Sequence, residues 1–293
     1  AASDVYKRQL SPVERKKKLE KLEANVIEWI LFFFSEFAKY PFTKFHKKAI
    51  KRITTNMEWY EVLSWSRELA KSTIVFMCMM YLVLTGKKRN VLLISNSHEN
   101  AVRLLEPYKK AFESNSMLKA YYGDLREFGS WTADEFTLTT GATFRAVGAL
   151  ESPRGTRKDA VRPDTALVDD FDTDADCRNP DILKKKWEWF EEALFPTRSI
   201  SEDLLVIFCG NLIALDCCVK RAGEKADHWD IVNIRDKDGK SSWPEKNTEE
   251  RINRIQSKIS TKAFQQEYMN NPLSEGDTFK EMVWGCLLYT SPS

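Results

Sequence analysis

The sequence predicts an α/β fold: a mainly parallel sheet covered by helices on both faces. Three observations carry that prediction. Short apolar runs of strand length alternate along the chain with stretches of helical periodicity. One helical stretch, "STIVFMCMMYLVLTG", is apolar on every side, as a helix inside a protein must be. One strand-like run delivers two acids at its carboxyl end, and another ends in a polar asparagine.

Taken in order, residues 1–9 ("AASDVYKRQ") and 285–293 (ending "CLLYTSPS") read as non-native ends, and the natural chain is expected to run on past about Trp284. A charged helix is expected over roughly residues 12–39, within an N-terminal segment 10–40. Leu19, Leu22, Val26, Ile30, Phe33 and Phe37 recur there at helical spacing. The apolar concentration "NVIEWILFFFSEFAKY" is interrupted by Glu28 and Glu36, is too short to span a bilayer, and lacks a signal-peptide layout. No membrane partner is expected. "YPFTKFHKKAIKRI" starts a second helix after Pro41. Strands are expected at "YEVLSW", "NVLLIS", "FTLTT", "TFRAVGA", "TALVDD" and "LLVIFCG". Amphipathic helices are expected at "SHENAVRLLEPYKKAFES" and "NPDILKKKWEWFEEALF". These elements make a core domain over 41–221. From about residue 222 the chain turns polar, and 222–284 reads as a linker or small subdomain whose last helix, "TEERINRIQSKISTKAFQQEYMNN", stops at Pro272.

At 293 residues and 43% apolar the chain can bury a sizeable core. Charge is high but nearly balanced, with a formal net of +2, which argues against a heavily basic nucleic-acid binder. Six cysteines include no CxxC, and the adjacent Cys217 and Cys218 suit neither a disulfide framework nor a zinc site. A reduced, intracellular compartment fits that usage best.

Chemistry enters at "EVLSWSRELAKSTIV". A phosphate-binding loop between strand and helix points successive backbone N–H groups at phosphate oxygens and offers the positive end of the helix dipole. Its lysine serves the β and γ phosphates, and the next hydroxyl serves Mg²⁺. Lys71, Ser72 and Thr73 keep that functional end, but Trp65 and Ala70 occupy the two usual glycine positions. Ala70, the smallest side chain available, hinders approach least, and Arg67 adds a second cation. The candidate nucleotide-binding segment is therefore Ser66, Arg67, Glu68, Leu69, Ala70, Lys71, Ser72 and Thr73.

"RPDTALVDDFD" is the second signal: an apolar strand delivers Asp169 and Asp170 at its carboxyl end. ATPases of this layout need one acid to hold Mg²⁺ and another to orient or deprotonate the attacking water. A solvated acidic turn is the plain alternative. A calcium loop built on Asp170, Asp172, Asp174 and Asp176 fails, because its sixth position is Ala175, its twelfth Asp181, and a strand precedes it. The third signal is "LLVIFCGNLI", where Asn211 after Gly210 can sense a γ-phosphate or simply form a turn.

Loop, paired acids and polar strand end, in that order, resemble one family: the large terminase subunit of tailed bacteriophages, specifically its N-terminal packaging ATPase. The resemblance covers roughly Tyr40 to Trp284. It rests on "SRELAKST", a deviant loop with an early arginine and an alanine before the lysine. It rests also on "GALESPRGTRKDAVRPDTALVDD" and on "FQQEYMNNPLSEGDTFK", which looks like the passage towards a nuclease domain.

The resemblance implies a P-loop NTPase fold of the ASCE/RecA-like kind and an ATP-driven motor for double-stranded DNA, working on a procapsid in the host cell cytoplasm. Implied cofactors are ATP and Mg²⁺. Implied partners are double-stranded DNA, the portal protein, the small terminase subunit and further copies of the chain in a ring. Lys71 would bind the β and γ phosphates, Ser72 or Thr73 and Asp169 would hold Mg²⁺, and Arg67 would report the γ-phosphate. Asp170 stands where the family usually has glutamate, one methylene longer. Asn211 occupies the coupling position. An adenine-contacting motif is expected at "YPFTKFHKK", without its usual glutamine, leaving Phe45 or His46 to stack on the base. Arg154 and Arg157 are candidates for contact with phosphate or a neighbouring subunit.

Trp187, Trp189 and Phe190 read as core, and "VERKKKLEKLE" and "LKKKW" as solvated faces. DNA cleavage is not expected of this chain, since after Pro272 only Glu275, Asp277 and Glu281 precede the non-native end. Two rival readings remain: another P-loop DNA motor of the helicase kind, and a catalytically weak nucleotide-binding scaffold.

Overall fold

A computed structural model of the chain describes residues 11–153 and 162–273. Arg154, Arg157, both expected non-native ends, and Glu275, Asp277 and Glu281 lie outside the described residues. The chain opens with helices α1 (Pro12–Glu23), α2 (Val26–Phe33) and α3 (Lys44–Thr55). Strand β1 (Trp59–Trp65), α4 (Lys71–Leu84), β2 (Asn90–Ser95), α5 (His98–Ser114) and α6 (Ser116–Tyr122) follow. Next come β3 (Arg126–Trp131), β4 (Glu135–Leu138), β5 (Thr143–Gly148), β6 (Thr165–Asp169), α7 (Asp174–Cys177) and α8 (Pro180–Glu188). The last helix runs on through a π-helical turn, Trp189–Leu194, and a short 3-10 turn, Phe195–Thr197. Strand β7 (Leu205–Cys209), α9 (Cys218–Lys225), β8 (His228–Val232), α10 (Glu249–Gln256) and α11 (Thr261–Met269) complete the described chain.

The eight strands of the described residues belong to one sheet in the order β3-β4-β5-β2-β6-β7-β1-β8. The six from β5 to β8 pair in parallel, and β3 and β4 add an antiparallel edge. Strand side chains alternate between two apolar layers, as the two-residue period requires. Leu63, Leu93, Leu167 and Ile207 face the layer that includes α2 to α5, whereas Val62, Leu92, Val168 and Phe208 face the one that includes α8 and α9. Helix α4 is buried without a break from Ile74 to Val83, packed against α2, α3 and α5. The fold is thus the doubly covered, mainly parallel α/β sheet expected of a P-loop ATPase. Trp187 and Phe190 are buried in the second layer, as core.

Three expectations need correction. The helix expected over 12–39 is two helices, because Asn25 leaves helical geometry and its Oδ1 accepts from the N–H groups of Ile27 and Glu28, capping α2. The last helix is likewise interrupted, with Ser260 capping α11. The stretch from residue 222, read as leaving the core, contributes β8, which pairs in parallel with β1. As an edge strand with no fully buried residue, β8 carries His228 and Asp230 and shows no apolar run. For the same reason exposed β3 escaped notice.

Candidate functional site

Because β1, β6 and β7 run in parallel, their carboxyl ends emerge on one edge of the sheet. Register places Leu63, Cys209 and Asp169 side by side, with β7 between the other two strands. The loop after β1, the Gly210–Asn211 end of β7 and the acid pair after β6 therefore meet. Between them lies a cleft of about 540 Å³, lined by residues that include Arg67, Lys71, Ser72, Thr73, Asp170 and Asn211.

The loop from Ser66 to Ala70 is wound tightly. Glu68 and Ala70 both take left-handed backbone, at φ 70° and 59°. Each such non-glycine residue costs on the order of 1–2 kcal/mol, which neighbouring contacts must offset. Those contacts hold the loop carbonyls. The Glu68 carbonyl accepts from Lys246 Nζ (2.8 Å) and Asn247 Nδ2 (3.1 Å), and the Leu69 carbonyl from His46 Nε2 (3.0 Å). Lys71 Nζ donates to the Trp65 carbonyl (3.3 Å) and to Asn211 Oδ1 (3.1 Å). Among the described residues no side chain caps the amino end of α4.

Across the cleft, Ser72 Oγ donates to Asp169 Oδ2 at 2.5 Å. Ser72, the first hydroxyl after Lys71, is the one that meets the acid. Asp169 is buried, and burial pushes its carboxyl up to about 6, opposed by the charge of Lys71 and reinforced by that of Asp170. Asp170 is exposed to the cleft and turns the chain out of β6 at φ 47°. Its carbonyl accepts from the Asn96 N–H (3.3 Å) and Ser95 Oγ (3.4 Å), pinning the turn to β2. The acids that follow serve the turn. Asp172 accepts from the N–H groups of Cys218 and Val219 at the start of α9, Asp176 from Lys186, and Asp174 from Gln266. They are directed to three separate elements, consistent with setting the calcium loop aside.

The structure brings Arg67, Lys71, Ser72, Asp169, Asp170 and Asn211 together. Ser66, Glu68, Ala70 and Thr73 line the same cleft, while Leu69 is buried beneath it. His46 is not placed as a base-stacking group. It is fully buried under the loop, accepting from the Thr43 N–H at Nδ1, and its ring packs against Phe45, Trp65 and Trp243. Burial pushes its pKa down to about 4, opposed by its bond to the Leu69 carbonyl and reinforced by the charge of Lys246. His46 props the loop from below. Trp65 fills the first glycine position as the last, fully buried residue of β1, so no glycine is needed there.

Sequence reasoning missed the wall supplied by the carboxyl-terminal helices. Glu267 of α11 bonds Arg67 Nε (2.5 Å), and its carbonyl accepts from the Arg67 N–H (3.1 Å) and Asn211 Nδ2 (3.1 Å). Asn270 Nδ2 reaches the carbonyls of Ser64 (2.9 Å) and Val232 (3.3 Å), while its Oδ1 accepts from the Leu212 N–H (3.0 Å). Nothing local to "FQQEYMNN" announces these contacts, of which those to Arg67 and Ser64 span some two hundred residues of sequence.

No protein-family profile and no curated protein sequence matches the chain. Solved structures do. The large terminase of bacteriophage HK97 superposes with a TM-score of 0.53 at 14% identity, over 80% of this chain and 51% of that one. Two structures of the large terminase ATPase domain of Thermus phage P74-26, one of them a mutant, give TM-scores of 0.47 and 0.49. They are 16% and 17% identical, and each alignment covers 82% of this chain and nearly all of the other. The chain shares its fold with the HK97 protein and spans about half its length. Among the described residues no helix is long and apolar enough to cross a membrane.

Proposed function

We propose that the chain is the ATPase motor of a phage terminase, coupling hydrolysis of Mg-ATP to movement of double-stranded DNA into a procapsid. One observation carries the reading. A lysine and hydroxyl at the uncapped start of a buried helix face an acid pair, with a polar strand end between them. Orphan N–H groups at a helix start, beside a lysine, suit phosphate.

The donors at Ser72 and Asp169 also suit magnesium. Both are oxygens, and Asp169 is a desolvated carboxyl that a cation would favour as carboxylate. Bound there, the ion would neutralise charge on the β and γ oxygens. Lys71 gives up its bond to Asn211 or shares it with a phosphate oxygen. Asp170, free of the strand and facing the cleft, orients a water and accepts its proton as the water oxygen bonds the γ-phosphorus and the bond to ADP breaks. Arg67 and Asn211 supply donors where charge develops on the departing oxygens. Support for the DNA-packaging part is the fold shared with a protein described as a large terminase. On that reading the chain works with double-stranded DNA, the portal protein, the small terminase subunit and further copies of itself.

ATP hydrolysis with Mg²⁺ tests this directly. The parent should turn over ATP, Lys71→Ala should lose at least about a hundredfold, and Asp170→Asn should bind nucleotide but stall. Equal turnover in parent and Lys71→Ala would remove the loop from the mechanism.

A further inference from the structure

Glu267 stands at a junction that no single-site description explains. Its carboxylate bonds Arg67 Nε at 2.5 Å, while its main-chain carbonyl accepts from both the Arg67 N–H and Asn211 Nδ2. Asn211 in turn accepts from Lys71. One residue of α11 is thus bonded to the loop arginine twice and to the lysine through one intermediary. The carboxylate also lines the cleft, where an unpaired negative charge would repel a polyphosphate. Arg67 is 64% exposed and Glu267 23%, so the ion pair adds little to stability and its value lies in geometry. Gripped at Nε, the guanidinium keeps its two terminal amino groups free of partners among the described residues. Those are the donors that form a fork for phosphate oxygens.

We propose that Glu267 is a positioning residue for phosphoryl transfer: it holds Arg67 by the Nε edge so that the remaining fork meets the terminal phosphate. This rests on the nucleotide reading above. A carboxylate acting only through its charge would weaken polyphosphate binding, so deleting it would tighten affinity and spare the rate. A positioning carboxylate gives the opposite split, because aim matters most where charge develops in the transition state.

The test is a double-mutant cycle on the full chain, with kcat from Mg-ATP turnover and Kd from a fluorescent ATP analogue. Glu267→Ala and Arg67→Ala should each lower kcat about ten- to a hundredfold with Kd changed by less than about threefold. The double variant should be no slower than Arg67→Ala alone. Glu267→Gln, whose side-chain oxygen still accepts from Nε, should recover most of the rate, which loss of packing would not allow. Main-chain bonds of residue 267 survive all these substitutions. Rate losses that multiply in the double variant, or a Glu267→Ala effect confined to Kd, would overturn the role of Glu267 while leaving the site intact. A parent that neither binds nor hydrolyses Mg-ATP would overturn the nucleotide reading and this inference with it.

Discussion

Ala70 holds a backbone conformation that usually belongs to glycine, and the side chains around it show how. His46 from below and Lys246 and Asn247 from the flank fix the carbonyls of Leu69 and Glu68, so the turn is imposed by its surroundings. The sequence offered Lys71, Ser72 and the acids as candidates, because each follows a strand-like run and they come in a set order. It could not show the role of His46, which sits among lysines in "KFHKK" yet is on the inward face of an amphipathic helix. The buried imidazole has a testable consequence. Unfolded, it takes a proton near its ordinary value of 6.5; folded, it refuses one until about pH 4. The unfolded state therefore binds more protons in that window, and stability is lost as pH falls through it. Unfolding free energy should drop by about 2 kcal/mol from this group between pH 7 and pH 5. Urea midpoints of parent and His46→Gln at the two pH values would show it as a shallower slope in the variant. Equal slopes would mean the imidazole is already charged in the fold.

Among the elements, α11 was legible as a helix but not in its contacts. Its helical periodicity was plain, but its docking depends on Glu267, Gln266 and Asn270 reaching the loop, the acid turn and the ends of β1 and β8. Pattern reports which face of a helix is buried, not which distant polar groups it will satisfy. Similarly, β8 was overlooked because an edge strand needs no apolar run, whereas β2 and β7, buried throughout, were evident. Asn270 ends α11 at φ 48° and is nearly buried, with its amide bonded to β1, β8 and Leu212. Asn270→Ala should lower unfolding free energy by about 2–4 kcal/mol, since it removes the bonds that join β1 to β8, leaves the Leu212 N–H without its acceptor and strains the backbone. Asn270→Gly, which tolerates the φ but loses the bonds, should recover only about 1 kcal/mol of that. Denaturant titration of the three proteins checks the order, and full recovery by glycine would assign the effect to backbone strain alone.

At the scale of the whole molecule, one sheet serves two opposite edges. At the amino ends of its strands, buried Lys88 donates to the carbonyls of Met57, Asp164 and Asp203, tying the entries to β1, β6 and β7. At the carboxyl ends the same strands open the cleft, so a rigid base carries a polar rim. The interior position of β7, which brings Asn211 between lysine and acids, follows from strand order, and order is not written in any one strand's pattern. On the proposed function this rim binds a magnesium nucleotide through Ser72 and Asp169. Titrating a fluorescent ATP analogue into parent and Asp169→Asn, with and without Mg²⁺, tests it most directly. Mg²⁺ should tighten binding to the parent by about tenfold or more and leave Asp169→Asn unchanged, with both proteins alike when the metal is chelated. Binding indifferent to Mg²⁺ in the parent, or equally strengthened by it in the variant, would contradict the claim.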